Sequence, residues 1–413
     1  MGTTYSKVAG NDFILKNVCL ETAFITDESG VTGTQTGLFC VGIKEGKIDR
    51  VFANDAQSAD AIDAKALLML PAFKDMHIHI DKTLYGLPWR APSSRRRTVQ
   101  DMIAYEQEII PELLKTAAHR GGLLIDLLQY HGTTFARTHF NVDTTSGLRS
   151  LEHLEKALGD KKDTFAAELV AFPQHGLFYT HSAPLMKAAA QLDSVRFVGG
   201  LDPFSIDKNI EKAIDFTVQL AIDNNKGIDI HLHDPGKEGI RTIEYLIEKA
   251  LQNPQLRGRT FVSHAFALAQ LQPKQAEAIS EKLAEAGVGI VSAIPFDGAV
   301  MPIPALVKQG VEVLVGNDNV QDHWSTFGTG SMLQKANLMA QLYGWSTELD
   351  LSRTLRFATG NILPLDADGT QQWPKTGDKA EFVLLAASCS AEAVSRMAPV
   401  KALVHAGNLY WKQ

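Results

Sequence analysis

His77 and His79 stand two residues apart at the end of a mostly apolar run, in Leu70-Pro71-Ala72-Phe73-Lys74-Asp75-Met76-His77-Ile78-His79-Ile80-Asp81-Lys82. In a β-strand residues i and i+2 point to one face, so two imidazoles leave the strand end side by side. That is half of a divalent-metal site, because zinc takes histidine nitrogen and carboxylate oxygen and keeps a position for water when it is catalytic. A packed histidine next to a solvated one would produce the same motif, so the remaining histidines decide between the two.

The elements that would position them follow from the pattern between about residues 66 and 318, where short β-branched runs alternate with longer amphipathic stretches. Candidate strands cover 67–80, 132–139, 165–173, 195–201, 227–233, 260–265, 288–293 and 311–318. Helical patterns separate them, as at 210–224, 239–251 and 272–286. Eight β-then-α units predict an α/β fold, a parallel (β/α)₈ TIM-like barrel over 66–364. The first crossover is long and carries a Pro/Ser/Arg loop at 88–97, a place for a substrate-enclosing excursion. Short apolar strands broken by turn residues at 13–55 and 379–412 predict one small β-sandwich built from both termini, residues 1–65 and 365–413.

In such a barrel the reactive groups sit at the carboxyl ends of the strands. Those ends carry His77 and His79, His139, Gln174 and His175, His231, His233 and Asp234, His264, and Asp318 with Asn319. Seven of the thirteen histidines fall there, a clustering that points to one metal centre. His77, His79, His231 and Asp318 could converge from strands one, five and eight on zinc or ferrous iron. Asp318 could also take a proton from a water beside the metal; its bland role would be a helix N-cap. His264 could orient that water or polarise a substrate. His233 shares the strand face of His231, and spacing alone leaves either as the ligand.

On Met76-His77-Ile78-His79-Ile80-Asp81-Lys82-Thr83, Arg137-Thr138-His139, Ala171-Phe172-Pro173-Gln174, His231-Leu232-His233-Asp234, Ser263-His264-Ala265 and Gly316-Asn317-Asp318-Asn319 with Asp322 and Trp324, the chain resembles the amidohydrolase superfamily in its cytosine deaminase-like branch. The resemblance runs over essentially the whole length. It implies one divalent ion per subunit on residues matching His77, His79, His231 and Asp318, and it assigns the strand-five ligand to His231. It also implies a hydrolytic deaminase that removes an exocyclic amine from a nitrogen heterocycle. Asp234, His264, Asp318 and Lys82 would then be catalytic, with Asp234 the acid that protonates a ring nitrogen and Lys82 the alternative donor. Gln174 would hydrogen-bond the ring through its amide, Asn319 would face it, and Phe172 and Trp324 would wall it unless they simply pack.

Two positions depart from cytosine deaminases. Asp234 replaces a glutamate, and Asn319 replaces the second carboxylate of an Asp-Asp pair. With Asp81-Lys82-Thr83, both are similar to N-isopropylammelide amidohydrolases and to bacterial deaminase-like proteins, which implies a ring other than cytosine. The competing cyclic amide hydrolases of hydantoinase or dihydroorotase type use a carboxylated lysine at strand four, and the strands near 165–201 end in Gln174 and Asp202 instead. A barrel that binds metal without catalysis is motivated only by Asp at position 234.

The whole-chain properties agree with a small-molecule enzyme. The chain has 413 residues, 45% hydrophobic and 21% charged, with a net charge of −7. That balance argues against nucleic-acid and anionic-membrane partners. The basic run Arg95-Arg96-Arg97 reads as a solvated or subunit-contacting loop. No apolar run reaches the roughly 18 residues of a membrane span, and no signal-peptide core is visible. Met1-Gly2-Thr3-Thr4-Tyr5-Ser6 is a loose match to a myristoylation pattern. Cys19, Cys40 and Cys389 lack metal spacing and fit reduced thiols, so a cytoplasmic homo-oligomer acting on a small N-heterocycle is expected.

Overall fold

A computed structural model of the chain describes residues 5–54, 60–91, 98–294 and 298–412. The Met1–Thr4 part of the myristoylation-like motif and the Arg95-Arg96-Arg97 run lie outside these residues.

Eight parallel strands make the barrel sheet: Phe73–Ile78, Thr133–Asn141, Ala166–Phe172, Val195–Val198, Gly227–His231, Thr260–Ser263, Val288–Ser292 and Val313–Val315, each paired with the next. A parallel bridge between Ile78 and Asp318 joins the last to the first. Helices such as Ile210–Asp223, Gly236–Gln252 and Pro273–Ala286 fill the crossovers. The strands are apolar on both faces because the outer face packs on these helices and the inner face packs on itself. Met76, Val170, Phe197, Phe261, Val291 and Leu314 form that inner layer. Each such buried side chain contributes roughly 1.5–3 kcal/mol relative to exposure.

The apolar run expected as one strand over 67–80 is two. Leu68–Pro71 pairs antiparallel with Phe382–Leu385 in the terminal sheet, whereas Phe73 donates its N–H to Gly132 in the barrel. The first pairing runs on to Ala72, which donates its N–H to Glu381 at 3.1 Å, and the barrel pairing starts at the next residue. The terminal segments together build a nine-stranded sheet separate from the barrel. Period two explains its unbroken hydrophobicity: Met69, Phe382, Leu384, Ala402 and Val404 enter the core of the terminal sheet, and their neighbours Leu68, Leu70, Val383, Leu385 and Leu403 enter the main core.

The long first crossover holds two helices, Val99–Leu114 and Ala117–Tyr130. Thr98 caps the first in a capping box with Asp101. Its buried stripe is Met102, Ile103, Glu106, Ile110 and Leu114, so a carboxylate stands in the middle of an apolar face.

Candidate metal centre

The first strand is locked to the chain after the eighth by Asp75. Its carboxylate accepts from the backbone N–H of Asn317 (3.0 Å) and the Asn317 amide (2.7 Å). Burial raises this carboxyl to about 6, against the lowering effect of those bonds. Position 316 must be glycine, because a Cβ there would stand 2.3 Å from the backbone N and O of His77. One residue on, Asn317 leads to Asp318, whose φ of 62° places it in the left-handed region. That conformation is costly without a glycine and recurs where function demands a particular side-chain direction. His264, at the end of the sixth strand, shares it with a φ of 69°.

His77, His79, His231 and Asp318 are all buried and offer ligand atoms that lie within 4.8 Å of one another. Nε2 of His77 and of His79 are 3.3 Å and 3.4 Å from Asp318 Oδ1, and Nε2 of His79 and His231 are 3.2 Å apart. Burial pushes the imidazole of His79 down to about 3 and that of His231 well below its ordinary value, so both are neutral, the ligating form. Burial alone would raise Asp318, but His264, His77 and His79 outweigh it and hold the carboxyl well below its usual range. Three imidazole nitrogens and one carboxylate oxygen facing a common buried space fit a divalent cation by donor type and by count. The geometry also separates the two strand-five histidines. His231 joins this group, and His233 turns its Nδ1 to Asp202 Oδ2 at 2.9 Å.

A second layer orients His77. Ser263 Oγ donates to Asp229 Oδ1 (2.6 Å), which commits its proton, so it accepts from His77 Nδ1 at 2.9 Å. Nε2 of His77 is thereby left with its lone pair toward the cluster. Asp229 is paired at 3.2 Å with Arg137, whose guanidinium lies over Phe197 and Phe261 at 4.0 and 4.4 Å. Phe172, expected at the ring-binding wall, is fully buried and stacks on His231 with centroids 3.9 Å apart. It supports the ligand imidazole and does not line the cavity. His139 is also buried beneath the cluster, 4.2 Å from the His77 ring.

Above the cluster opens a cavity of about 1360 Å³, whose lining includes His79, Lys82, Gln174, His231, His233, His264, Asp318, Asn319 and Trp324. Lys82 Nζ hydrogen-bonds Gln174 Oε1, reaches Asn141 Oδ1 at 3.4 Å and pairs with Glu106 at 3.5 Å. Asn319 donates its amide to Asp322, which also caps the backbone N–H groups of Trp324 and Ser325. His233 stacks on His264 with centroids 4.6 Å apart; burial opposes its protonation, but Asp202 outweighs that and raises it.

Asp234 follows the fifth strand, three residues after His231. It is not part of the cavity lining; its Oδ2 accepts from the backbone N–H groups of Phe204 and Ser205 at 3.1 and 3.3 Å. Those bonds tie Oδ2 to the loop after the fourth strand, Oδ1 is buried without a hydrogen-bond partner among the described residues, and burial and Asp202 raise the carboxyl. Sequence reasoning also missed Glu106, Asp202, Asp229 and Ser263. A signal existed for two of them. Glu106 interrupts the apolar stripe of its helix, and Asp229 lies two residues before His231, a charge on the inward face of an apolar strand.

Residues 148–409 match the amidohydrolase family. The uncharacterised protein YahJ of Escherichia coli is 44% identical over 409 residues, covering 98% of this chain and 89% of that protein. N-isopropylammelide isopropyl amidohydrolase of a Pseudomonas species is 28% identical, with 91% of both chains covered. Among solved structures, N-isopropylammelide isopropylaminohydrolase from Burkholderia multivorans superposes with a TM-score of 0.82 at 28% identity, covering 97% of this chain and 98% of that one.

Proposed function

This chain belongs to the amidohydrolase family, and from that premise we propose that it is a metal-dependent aminohydrolase that removes an exocyclic amine from a nitrogen heterocycle. The observation that carries the reading is the position of the His77–His79–His231–Asp318 group on the floor of a cavity walled by Lys82, Gln174 and Asn319. A divalent ion on those four residues, zinc by donor type, would supply Lewis acidity that makes water a nucleophile near neutral pH.

His264 and Asp318 both face the cavity beside that position. They orient the attacking water and accept its proton, with Asp318 serving as both ligand and base. The water oxygen bonds to the ring carbon, the C–N bond breaks, and the amine leaves with a proton, so the ring gains a carbonyl. A ring nitrogen is protonated on the way. Lys82, which lines the cavity, is the donor in this reading; Asp234 is outside the lining, with its Oδ2 held by the Phe204 and Ser205 N–H groups. Gln174, held by Lys82, fixes the ring through its amide. Trp324 lines the same side of the cavity.

The experiment is release of ammonia or alkylamine from a panel of aminopyrimidines, aminotriazines and aminopurines by the metal-loaded protein. Hydrolysis of at least one member, abolished by His77→Ala, is expected. Ring opening of a cyclic amide with no amine release would refute the reading.

A further inference from the structure

Glu106 is fully buried on the helix Val99–Leu114, remote in sequence from every strand end, yet it holds four groups of the barrel mouth together. Its Oε2 lies 3.0 Å from His175 Nε2, and its Oε1 lies 2.6 Å from His323 Nε2, 2.8 Å from the Trp324 indole nitrogen and 3.5 Å from Lys82 Nζ. These partners come from the loops after the first, third and eighth strands. A buried carboxylate survives only where charge and hydrogen bonds replace water. Burial would raise it, but Lys82, His175 and His323 outweigh that and keep it ionised.

An ionised carboxylate only accepts hydrogen bonds, so it dictates what each partner presents on its other side. The indole N–H of Trp324 is taken, which fixes the plane of the ring along the cavity. Nε2 of His323 carries the proton toward Glu106. Its Nδ1 is buried and without a hydrogen-bond partner among the described residues. Lys82 turns its other protons to Gln174 and Asn141.

We propose that Glu106 is the positioning residue of the substrate half of the site: it assembles Lys82, His323 and Trp324 into one rigid wall opposite the metal ligands. That wall offers a cationic group and an aromatic face, and it suits a flat ring that carries a carbonyl. The inference rests on the function proposed above, but part of it can be tested without turnover.

The test compares Glu106→Leu and the isosteric Glu106→Gln with the parent, all metal-loaded. Metal content and cooperative unfolding are measured first. The emission of Trp324 is then isolated as the difference from a Trp324→Phe blank in each background. Finally, KM and kcat are measured on the best ring of the amine-release panel. In Glu106→Leu, metal content should stay at the parent value, Trp324 emission should shift, and KM should rise about ten- to hundredfold. Glu106→Gln should recover part of the KM, since one oxygen still accepts. An unshifted Trp324 signal, a KM within about twofold of the parent, or loss of metal together with activity in both variants would overturn the proposal. If no ring is hydrolysed by the parent while Trp324 emission still shifts, the aminohydrolase reading fails and the positioning role stands.

Discussion

Asp318 donates its backbone N–H to the carbonyl of His77 at 2.7 Å, and the side chains of the same two residues meet at 3.3 Å between Oδ1 and Nε2. Closing the barrel and bringing together the first and last members of the candidate metal group are therefore one event. The left-handed backbone at Asp318 is the local cost of making one residue do both.

Metal removal should accordingly weaken the fold as well as the activity. A ligand that binds only the native state at about a thousand times its Kd adds about 4 kcal/mol. Metal analysis should give one ion per chain, and a chelator should lower the unfolding temperature by several degrees and abolish turnover. Two ions per chain would favour a cyclic-amide hydrolase centre instead.

Ser263→Ala should cut metal affinity about ten- to hundredfold while the protein stays folded, because the groups that orient a ligating histidine matter on that scale. Without the hydroxyl, Nδ1 of His77 loses its acceptor, and Asp229 loses a buried donor but keeps Arg137. Competition with a chromogenic chelator measures the change. An unaltered affinity would show that the strand alone orients the ring.

Under the proposed function Lys82, and not Asp234, delivers the proton to the ring. Lys82→Met should lower kcat by about 10²–10⁴-fold, the range for a positioned acid. Asp234→Asn keeps an oxygen for the N–H groups of Phe204 and Ser205, so kcat should stay within about tenfold of the parent on the same scale. Steady-state kinetics on one substrate decides it, and the reverse order would return the acid role to Asp234.

The strand ends were legible because barrel strands are apolar on both faces and chemistry-bearing residues interrupt them at fixed places. His77, His79, His231 and Asp318 could be named from that pattern, with the family resemblance needed to choose His231 over His233. Glu106 was not legible as a partner of Lys82, since the contact crosses from a helix to a strand end. The direction of Asp234 was hidden too, being set by two backbone N–H groups of a neighbouring loop. Phe172 shows the same limit: one apolar residue beside a strand end can face a substrate or a ligand imidazole, and only packing tells which.

Lys335, in the cavity lining, gives a pH test of stability. It is buried, donates to the carbonyls of Ala293 and Ile294 at 2.9 Å each, and is pushed down by burial to about 8 from 10.5. Between those values the unfolded chain binds more protons than the folded one, so stability rises with pH. The contribution is complete above about 10.5 and lost as pH falls to about 8. Lys335→Met removes the titration, so the parent's stability relative to that variant should climb by about 3 kcal/mol across this window. Denaturant melts at pH 8, 9 and 10 measure the difference, and a flat difference would show that Lys335 titrates as it does in water.

Under the proposed function, Asn319 is a test of ring choice. Its amide donates to Asp322, a carboxyl already raised by burial, so the side chain is fixed by a neighbour as well as being neutral. A second carboxylate there would face Asp322 directly. Asn319→Asp should therefore cost about 1–3 kcal/mol of stability and should not create a cytosine deaminase. Adding Asp322→Asn should restore the stability by returning an amide–carboxylate pair. In the parent, a neutral Asn319 stabilises a cationic or strongly donating ring less than a carboxylate would, and the cavity of about 1360 Å³ has room for more than one bare pyrimidine. Cytosine should then be a poor substrate, and a larger or N-substituted amino heterocycle with a ring carbonyl for Gln174 should be a better one. If cytosine gives the highest kcat/KM of the panel, Asn319 does not set the specificity.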